Sequence, residues 1–128
     1  MTNDYREVSG LVTRLYALLD DARYDELGSV YADDVELDFP SGPMRGLPDV
    51  IAKARSRFES FERVQHISTD TLVDLDGDAA RIRTNHWAIH LRDGGREEAG
   101  LVHHFDAART PAGWRLTRGR ADVIWRTR

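Results

Sequence analysis

The feature that most constrains this chain is a change in hydrophobic periodicity near residue 64. Before that point, apolar residues recur three and four positions apart, which is the spacing of one face of a helix. After it, apolar and polar residues alternate, which is typical of strands with one buried face. Helices followed by a run of strands indicate an α+β fold, because an α/β fold alternates the two.

Three helices are predicted before the change in periodicity. The first carries an apolar stripe formed by Val8, Leu11, Val12, Leu15, Leu18 and Leu19. Asp4 and Glu7 have the spacing of a capping box at its start. A second, shorter helix is expected to begin near Asp25 and to include Tyr31 on its buried side. Pro48 suits the first turn of a third helix, because that position needs no backbone N–H. The apolar face of this helix is predicted to comprise Val50, Ile51, Ala54, Phe58 and Phe61.

Short connections separate the predicted strands. Residues 35–39 alternate apolar and acidic side chains, and residues 40–43, Pro-Ser-Gly-Pro, are typical of a turn. Later strands are predicted at residues 66–75, 80–91, 100–109, 114–118 and 121–125. Glycine-containing turns join them as hairpins, which predicts a mostly antiparallel sheet.

Length and composition limit the possible functions. The chain of 128 residues suits one compact domain, which we predict to span residues 1–128. It contains no cysteine, so disulfides, thiolate nucleophiles and cysteine-based metal sites are excluded. The formal net charge of −4 disfavours nucleic-acid binding, and no apolar run approaches the ~20 residues of a membrane span. The polar N-terminus lacks a signal-peptide pattern, so we expect a cytoplasmic protein without membrane or nucleic-acid partners.

The histidines are the candidate functional residues, because imidazole transfers protons near neutral pH. All five lie in the predicted strand region. In the strand at 80–91, His86 and His90 share one face with small residues of mixed polarity, which suits the lining of a cavity. His103 and His104 are adjacent, so only one of them can face that cavity.

Spacing argues against a simple metal site. His86 and His90 are four residues apart, and on a strand their Cα atoms would be separated by ~13 Å, too far to chelate one ion. A three-histidine site drawn from different strands stays open, but we predict neither a metal nor a cofactor. The sequence also lacks a glycine-rich phosphate loop and a Gly-x-Ser-x-Gly nucleophile elbow.

Among the carboxylates, Asp20 has the most informative position. It falls one helical turn after Tyr16, so the two side chains can point the same way. The apolar stripe continues through Leu19 and places Asp20 at the edge of the buried face. A carboxylate there is partly desolvated and is a candidate for acid–base chemistry, although a solvated helix end is the alternative.

Several short strings occur in a characteristic order. They are Leu15-Tyr16-Ala17 through Asp20, Arg23-Tyr24-Asp25-Glu26-Leu27, residues 31–39, Met44-Arg45-Gly46, Gln65-His66, Asp76-Gly77-Asp78-Ala79-Ala80 and Gly113-Trp114-Arg115-Leu116. Together they resemble the SnoaL-like branch of the nuclear transport factor 2-like superfamily, over residues 11–125. The resemblance implies a cone-shaped fold, in which a curved, mostly antiparallel sheet wraps the N-terminal helices and leaves a pocket open at one end.

The resemblance also bears on assembly and activity. Family members often dimerise through the outer sheet face, where Trp87, Ile89 and Leu91 would lie. The family includes polyketide cyclases, ketosteroid isomerases, limonene epoxide hydrolases and scytalone dehydratase, together with binding domains that catalyse nothing.

Within the family, the local similarity is to scytalone dehydratase. By that resemblance, Asp20 falls on its catalytic aspartate and His66 on its catalytic histidine. Its second histidine falls near His90, with His86 as the other choice.

We therefore predict a cofactor-independent lyase, isomerase or cyclase that acts on a small, apolar, oxygenated molecule. His66, oriented by Asp20, would remove or return a proton. The predicted substrate-binding residues are Tyr16, Phe39, His86, His90 and His104.

One departure from the dehydratase supports an alternative. Its two water-holding tyrosines fall on Leu19 and Phe39, which have no hydroxyl. The alternative is a binding or interaction module of the same fold, without chemistry. A filled cone would be purely structural, and a pocket well under ~300 Å³ would indicate it.

Overall fold

The computed structural model describes residues 3–127, so Met1, Thr2 and Arg128 of the predicted domain lie outside the described residues. The elements are α1 (Asp4–Asp20), a 3-10 helix (Tyr24–Ser29), β1 (Tyr31–Phe39), β2 (Gly42–Arg45), α2 (Leu47–Phe58), β3 (Arg63–Asp76), β4 (Ala79–Arg92), β5 (Gly95–Thr110) and β6 (Gly113–Arg126). The predicted α+β fold is confirmed. No helix in the described part of the chain is long and apolar enough to cross a membrane.

The strands form one six-stranded sheet in the order β2-β1-β6-β5-β4-β3. All neighbours are antiparallel except β1 and β6, which run parallel. The register shifts between Thr69 and Leu72, between Gly100 and Leu101, and between Asp106 and Ala107. Such irregularities bend strands and increase their twist. The long strands therefore curve around the helices, and α1 packs against β3 and β6.

The apolar stripe of α1 is buried as predicted, but the start of the helix differs from the prediction. Asn3 is the N-cap, and its side-chain oxygen accepts a hydrogen bond from the backbone N–H of Arg6 at 3.1 Å. The predicted capping box of Asp4 and Glu7 is therefore wrong, because Asn3 already satisfies the first turn. Asp4 is instead the first helical residue.

Three further elements differ from the sequence predictions. The second helix is only the short 3-10 turn, and Tyr31 begins β1 instead of ending a helix. Residues 42–45 form β2, although they were predicted within or beyond a turn. Pro43 is tolerated because β2 is an edge strand, where a missing N–H breaks no ladder. The two strands predicted at 114–118 and 121–125 are one continuous strand, β6.

The predicted faces of β4 are confirmed. Its inner face is buried and comprises Ala80, Ile82, Thr84, His86, Ala88 and His90. The other face is partly or fully exposed, and Trp87 is 44% exposed there. Large apolar side chains of α1, β1 and β6 form the core together with Ala80 and Ile82 of this inner face.

Candidate active site

The concave face of the sheet carries a wall of four buried histidines. His66 lies on β3, His86 and His90 lie on β4, and His103 lies on β5. Alternate residues of a strand point to the same face, and each of these histidines alternates with the other buried residues of its strand, so all four face inward.

The prediction that His104 faces the cavity is wrong. His104 lies on the outer face, 3.4 Å from a carboxylate oxygen of Asp122, and His103 takes the inward position.

The rings of this wall are stacked. The ring centroids of His66 and His86 are 5.1 Å apart, and those of His86 and His103 are 4.3 Å apart. Tyr16, projecting from α1, stacks on His86 at 4.3 Å, and Phe39 from β1 stacks on His103 at 5.2 Å. The predicted residues Tyr16, Phe39 and His86 are therefore brought together, with His103 as the residue that the sequence left undecided.

Asp20 and His66 meet at one end of this wall. Asp20 is the last residue of α1, and its Oδ1 lies 2.7 Å from Nδ1 of His66. The same carboxylate also accepts the backbone N–H of His66, at 3.0 Å to Oδ1 and 3.2 Å to Oδ2. The carboxylate thus fixes both the backbone and the ring of a residue 46 positions away.

This contact determines the proton positions of the His66 ring. A carboxylate accepts hydrogen bonds, so in the neutral form of the ring the proton lies on Nδ1 and the lone pair on Nε2. Within residues 3–127, no hydrogen bond involves Nε2 of His66, and Asp20 is the only carboxylate bonded to an inner histidine. The His66 side chain is 4% exposed and that of Asp20 is 22% exposed. The bond to Asp20 therefore fixes the orientation of the buried His66 ring.

The other three inner histidines are neutral. Burial, followed by the nearby His103, His66 and His90, lowers the pKa of His86 to about 2. Burial and neighbouring histidines likewise lower the pKa of His103 to about 3. Burial, followed by the nearby His66, Arg57 and Arg92, lowers the pKa of His90 to about 4.

Tyr16 is neutral as well, because burial raises its pKa well above the usual value. Its hydroxyl is 2.6 Å from Nδ1 of His103, so one hydrogen bond joins the two side chains. These neutral groups supply hydrogen bonds and no formal charge.

Two fully buried nitrogen atoms of the wall have no hydrogen-bond partner among residues 3–127. They are Nδ1 of His86 and Nε2 of His90. Leaving such an atom unpaired costs roughly 1–3 kcal/mol, and few native polar atoms are left so. The two atoms belong to rings on either side of His66.

A cavity of about 510 Å³ opens beside Asp20. Its apolar lining includes Leu19, Phe58, Phe61 and Val64, and its rim carries Asp20, Asp21, Glu59, Glu62 and Arg63. This volume lies within the ~300–1,000 Å³ range of small-molecule sites, although none of the four inner histidines lines it. A smaller cavity of about 250 Å³ lies on the outer face beside His104.

The described residues offer no metal centre. No group of three or more histidine, cysteine, aspartate or glutamate side chains in residues 3–127 is arranged to hold a metal ion. The rings of His66, His86 and His103 are stacked face to face, whereas ligands of one ion must point their nitrogen atoms at a common centre.

Two aromatic residues of the site were not predicted as functional. Phe58 and Phe61 were assigned only to the apolar face of the third helix, but α2 ends at Phe58. Phe61 lies beyond it and contacts His90, with the ring centroids 4.5 Å apart. The helical spacing concealed this role, because a periodic apolar residue is normally a core residue.

Comparison with known proteins places the chain in a family. It matches the family model described as the SnoaL-like domain over residues 1–120. An uncharacterized protein of Mycobacterium tuberculosis is 28% identical over 121 residues, which cover 91% of this chain and 82% of that protein.

Solved structures share the fold. The Kfla4162 protein from Kribbella flavida has a TM-score of 0.90 at 28% identity, with 97% of this chain and 93% of that chain covered. A hexachlorocyclohexane dehydrochlorinase, LinA type 2, has a TM-score of 0.87 at 15% identity, with 96% of this chain and 86% of that chain covered. At this identity the similarity concerns the fold alone. The family model spans most of the sequence and confirms the predicted resemblance. This protein belongs to the SnoaL-like domain family.

Proposed function

We propose that this protein is a cofactor-independent lyase or isomerase that removes a proton from carbon in a small, uncharged molecule. The observation that carries the proposal is the 2.7 Å contact between Asp20 and Nδ1 of His66 at the edge of the cavity. A carboxylate in this position fixes the imidazole tautomer and stabilises the imidazolium that forms when the ring accepts a proton.

The proposed reaction begins with His66. Its Nε2 lone pair takes a proton from a carbon atom next to an electron-withdrawing group, while Asp20 keeps the ring in place. The C–H electron pair then forms a new double bond, and a leaving group departs with its own bonding pair. In an isomerisation, the same Nε2 returns the proton to another carbon atom. Proton transfer by a positioned side chain typically contributes roughly 10²–10⁴-fold to the rate.

The substrate-binding roles follow from the surroundings of His66. His86 and His90 each carry an unpaired nitrogen atom that can bond a polar atom of the substrate. Tyr16 and Phe39 contribute ring faces to the wall, and His103 replaces His104 in the predicted set. A neutral wall suits an uncharged substrate, because it has no fixed positive charge to balance an anion.

Two considerations support the lyase class. The family to which the chain belongs contains dehydratases by the resemblance given above, and the LinA structure of the same fold is named as a dehydrochlorinase. In both reaction types, a proton and a leaving group are removed from adjacent carbon atoms.

The test uses two elimination substrates, hexachlorocyclohexane and a β-hydroxy ketone such as 4-hydroxy-4-phenyl-2-butanone. Chloride release and the absorbance of the conjugated ketone report turnover. We expect D20N and H66Q to lower kcat at least about 100-fold, and H104Q to retain the wild-type rate. Full activity in both D20N and H66Q would contradict the proposal.

A binding module without chemistry is the second candidate. The His66 side chain is 4% exposed, which favours a ring that serves mainly to hold the fold or a ligand. In that case the protein would bind ring compounds but turn over neither elimination substrate, and D20N would change stability alone.

We also propose that the chain is a single domain over residues 1–128 and forms a homodimer through the outer sheet face. Trp87 and Trp125 lie there, 44% and 47% exposed, with Leu91 nearby at 39%. Light scattering tests this proposal, because W87E would convert a dimer of the wild-type protein into a monomer. A monomeric wild-type protein would contradict it.

A further inference from the structure

Two aromatic rings cover the edge of the histidine wall. Phe58 is the last residue of α2, and its ring centroid lies 5.2 Å from that of His66 and 5.6 Å from that of His90. Phe61 lies in the connection between α2 and β3, and its ring centroid is 4.5 Å from that of His90. These rings therefore separate both imidazoles from the open cavity that they also line.

An unsatisfied polar atom lies in the ring that they cover. Nε2 of His90 is buried and has no hydrogen-bond partner, and the whole residue is 7% exposed. A folded chain loses stability by burying such an atom, so its presence calls for an explanation. A ligand that takes the place of the Phe61 ring would supply the missing hydrogen bond.

Two backbone hydrogen bonds hold the segment that carries the cover, from Phe61 to Phe58 at 3.1 Å and from Glu62 to Leu91 at 2.9 Å. The side-chain contacts that hold it lie at the surface. The guanidinium of Arg92 lies 4.3 Å from the Phe61 ring centroid and donates a hydrogen bond to the hydroxyl of Ser60 at 3.2 Å. Glu62 accepts a hydrogen bond from the backbone N–H of Asp93 at 3.0 Å. Because these contacts are solvent-exposed, they compete with water. Outward rotation of Phe61 would extend the cavity to His90 and His66.

We propose that the Phe61 ring occupies a ligand subsite, which takes an uncharged ring compound whose hydroxyl or carbonyl group bonds Nε2 of His90. The position of Phe61 against the imidazole indicates the shape of the ligand, since a flat six-membered ring already packs there. This inference names the substrate class of the proposed lyase or isomerase and rests on that function for its biological meaning. The binding itself is measurable without turnover.

The charge around the subsite determines which ligands fit. Four carboxylates line the cavity, from Asp20, Asp21, Glu59 and Glu62. Three cations lie near it, from Arg63 in the lining and from Arg57 and Arg92 beside Phe58 and Phe61. An anionic ligand would be repelled by this excess of negative charge. His90 does not compensate, because burial and its neighbours lower its pKa to about 4 and the ring is neutral near pH 7.

The experiment uses 2-naphthol as the probe and 2-naphthoate as its anionic counterpart, with binding followed by calorimetry near pH 7. We expect saturable binding of 2-naphthol to the wild-type protein and at least about tenfold weaker binding of 2-naphthoate. F61A should bind 2-naphthol several-fold more tightly, because no ring has to be displaced. H90L should bind it about tenfold more weakly, because one hydrogen bond is lost.

Matched controls separate the subsite from general effects. L72A removes an exposed apolar side chain of the same sheet, and H104L removes an outer-face imidazole, so both should bind 2-naphthol like the wild-type protein. In the wild-type protein, the ¹⁵N resonance of His90 Nε2 should shift when 2-naphthol is added, which tests the contact even if H90L fails to fold.

The inference is overturned if 2-naphthol does not bind, if F61A binds it no more tightly, or if the His90 resonance does not shift. Its failure is distinguishable from failure of the proposed reaction. If the protein binds 2-naphthol but turns over no substrate, the proposed reaction is wrong and the subsite stands. If F61A and H90L leave turnover unchanged, the subsite is wrong and the proposed reaction stands.

Discussion

At the residue scale, one type of side chain has different chemistry at different positions. His66 contacts a carboxylate and keeps a free Nε2, whereas His86, His90 and His103 are held neutral by burial. His104 lies outside the wall altogether. The environment of each imidazole therefore decides whether it is a base, a hydrogen-bonding group or a surface residue.

Replacing Tyr16 by phenylalanine tests the buried polar contact of the wall. Y16F keeps the ring that stacks on His86 but removes the hydroxyl that is bonded to His103. We expect the free energy of unfolding to fall by about 1–3 kcal/mol, because Nδ1 of His103 is left unpaired. Urea denaturation measures this change. Y5F, at an exposed tyrosine, is the control, and an equal loss in both variants would contradict the account.

Sequence alone could identify the pair Asp20 and His66 but not the inward residue of the pair His103 and His104. Helical spacing gave Asp20 a position at the edge of the buried face, and the resemblance pointed to His66. In β5, a register shift between Gly100 and Leu101 precedes the two histidines. Because apolar and polar residues do not alternate regularly there, the sequence does not indicate which of the two histidines faces inward.

At the element scale, the long periodic segments were predictable. The stripe of α1, the third helix with Pro48 and the alternating β4 all formed as expected. The short elements were not, because their conformation depends on tertiary contacts. β2 forms only by pairing with β1, and a proline in its sequence argued for a turn.

The start of α1 provides a test at this scale. N3A removes the side chain that caps the helix, and we expect a loss of about 1 kcal/mol in the free energy of unfolding. E7A is the matched control, since Glu7 makes no reciprocal side-chain bond to the cap in the described chain. Thermal denaturation of the two variants measures the loss of stability. A larger loss in E7A than in N3A would contradict Asn3 as the cap and support the predicted capping box.

At the scale of the whole molecule, folding brings chemistry together from distant parts of the chain. Asp20 at the end of α1 and His66 near the start of β3 meet only when the sheet curves around the helix. Sequence gave the identity of these residues, but their distance depends on the bend of the sheet. The cover by Phe58 and Phe61 likewise depends on where α2 ends.

The same burial makes stability depend on pH. The fold keeps His86, His90 and His103 neutral, with pKa values lowered to about 2, 4 and 3, whereas the unfolded chain takes up protons below about pH 6.5. Stability is therefore full above that pH and is lost as the pH falls. Between pH 7.5 and 5.5 we expect a loss of about 1.4 kcal/mol for each ring, or about 4 kcal/mol together.

Urea denaturation at the two pH values measures this loss. H86Q should reduce the difference by about 1.4 kcal/mol, because one titrating ring is removed. H104Q, on the outer face, is the matched control. A wild-type stability that is equal at both pH values would show that the inner rings are not held neutral.

The central claim is that Asp20 orients His66 as a base with its lone pair on Nε2. The most direct measurement is the ¹⁵N spectrum of histidine-labelled protein near pH 7.5, compared with that of D20N. The account predicts that the proton of His66 resides on Nδ1 in the wild-type protein and that this preference is lost in D20N. A wild-type His66 ring that carries its proton on Nε2, or a tautomer that D20N leaves unchanged, would contradict it.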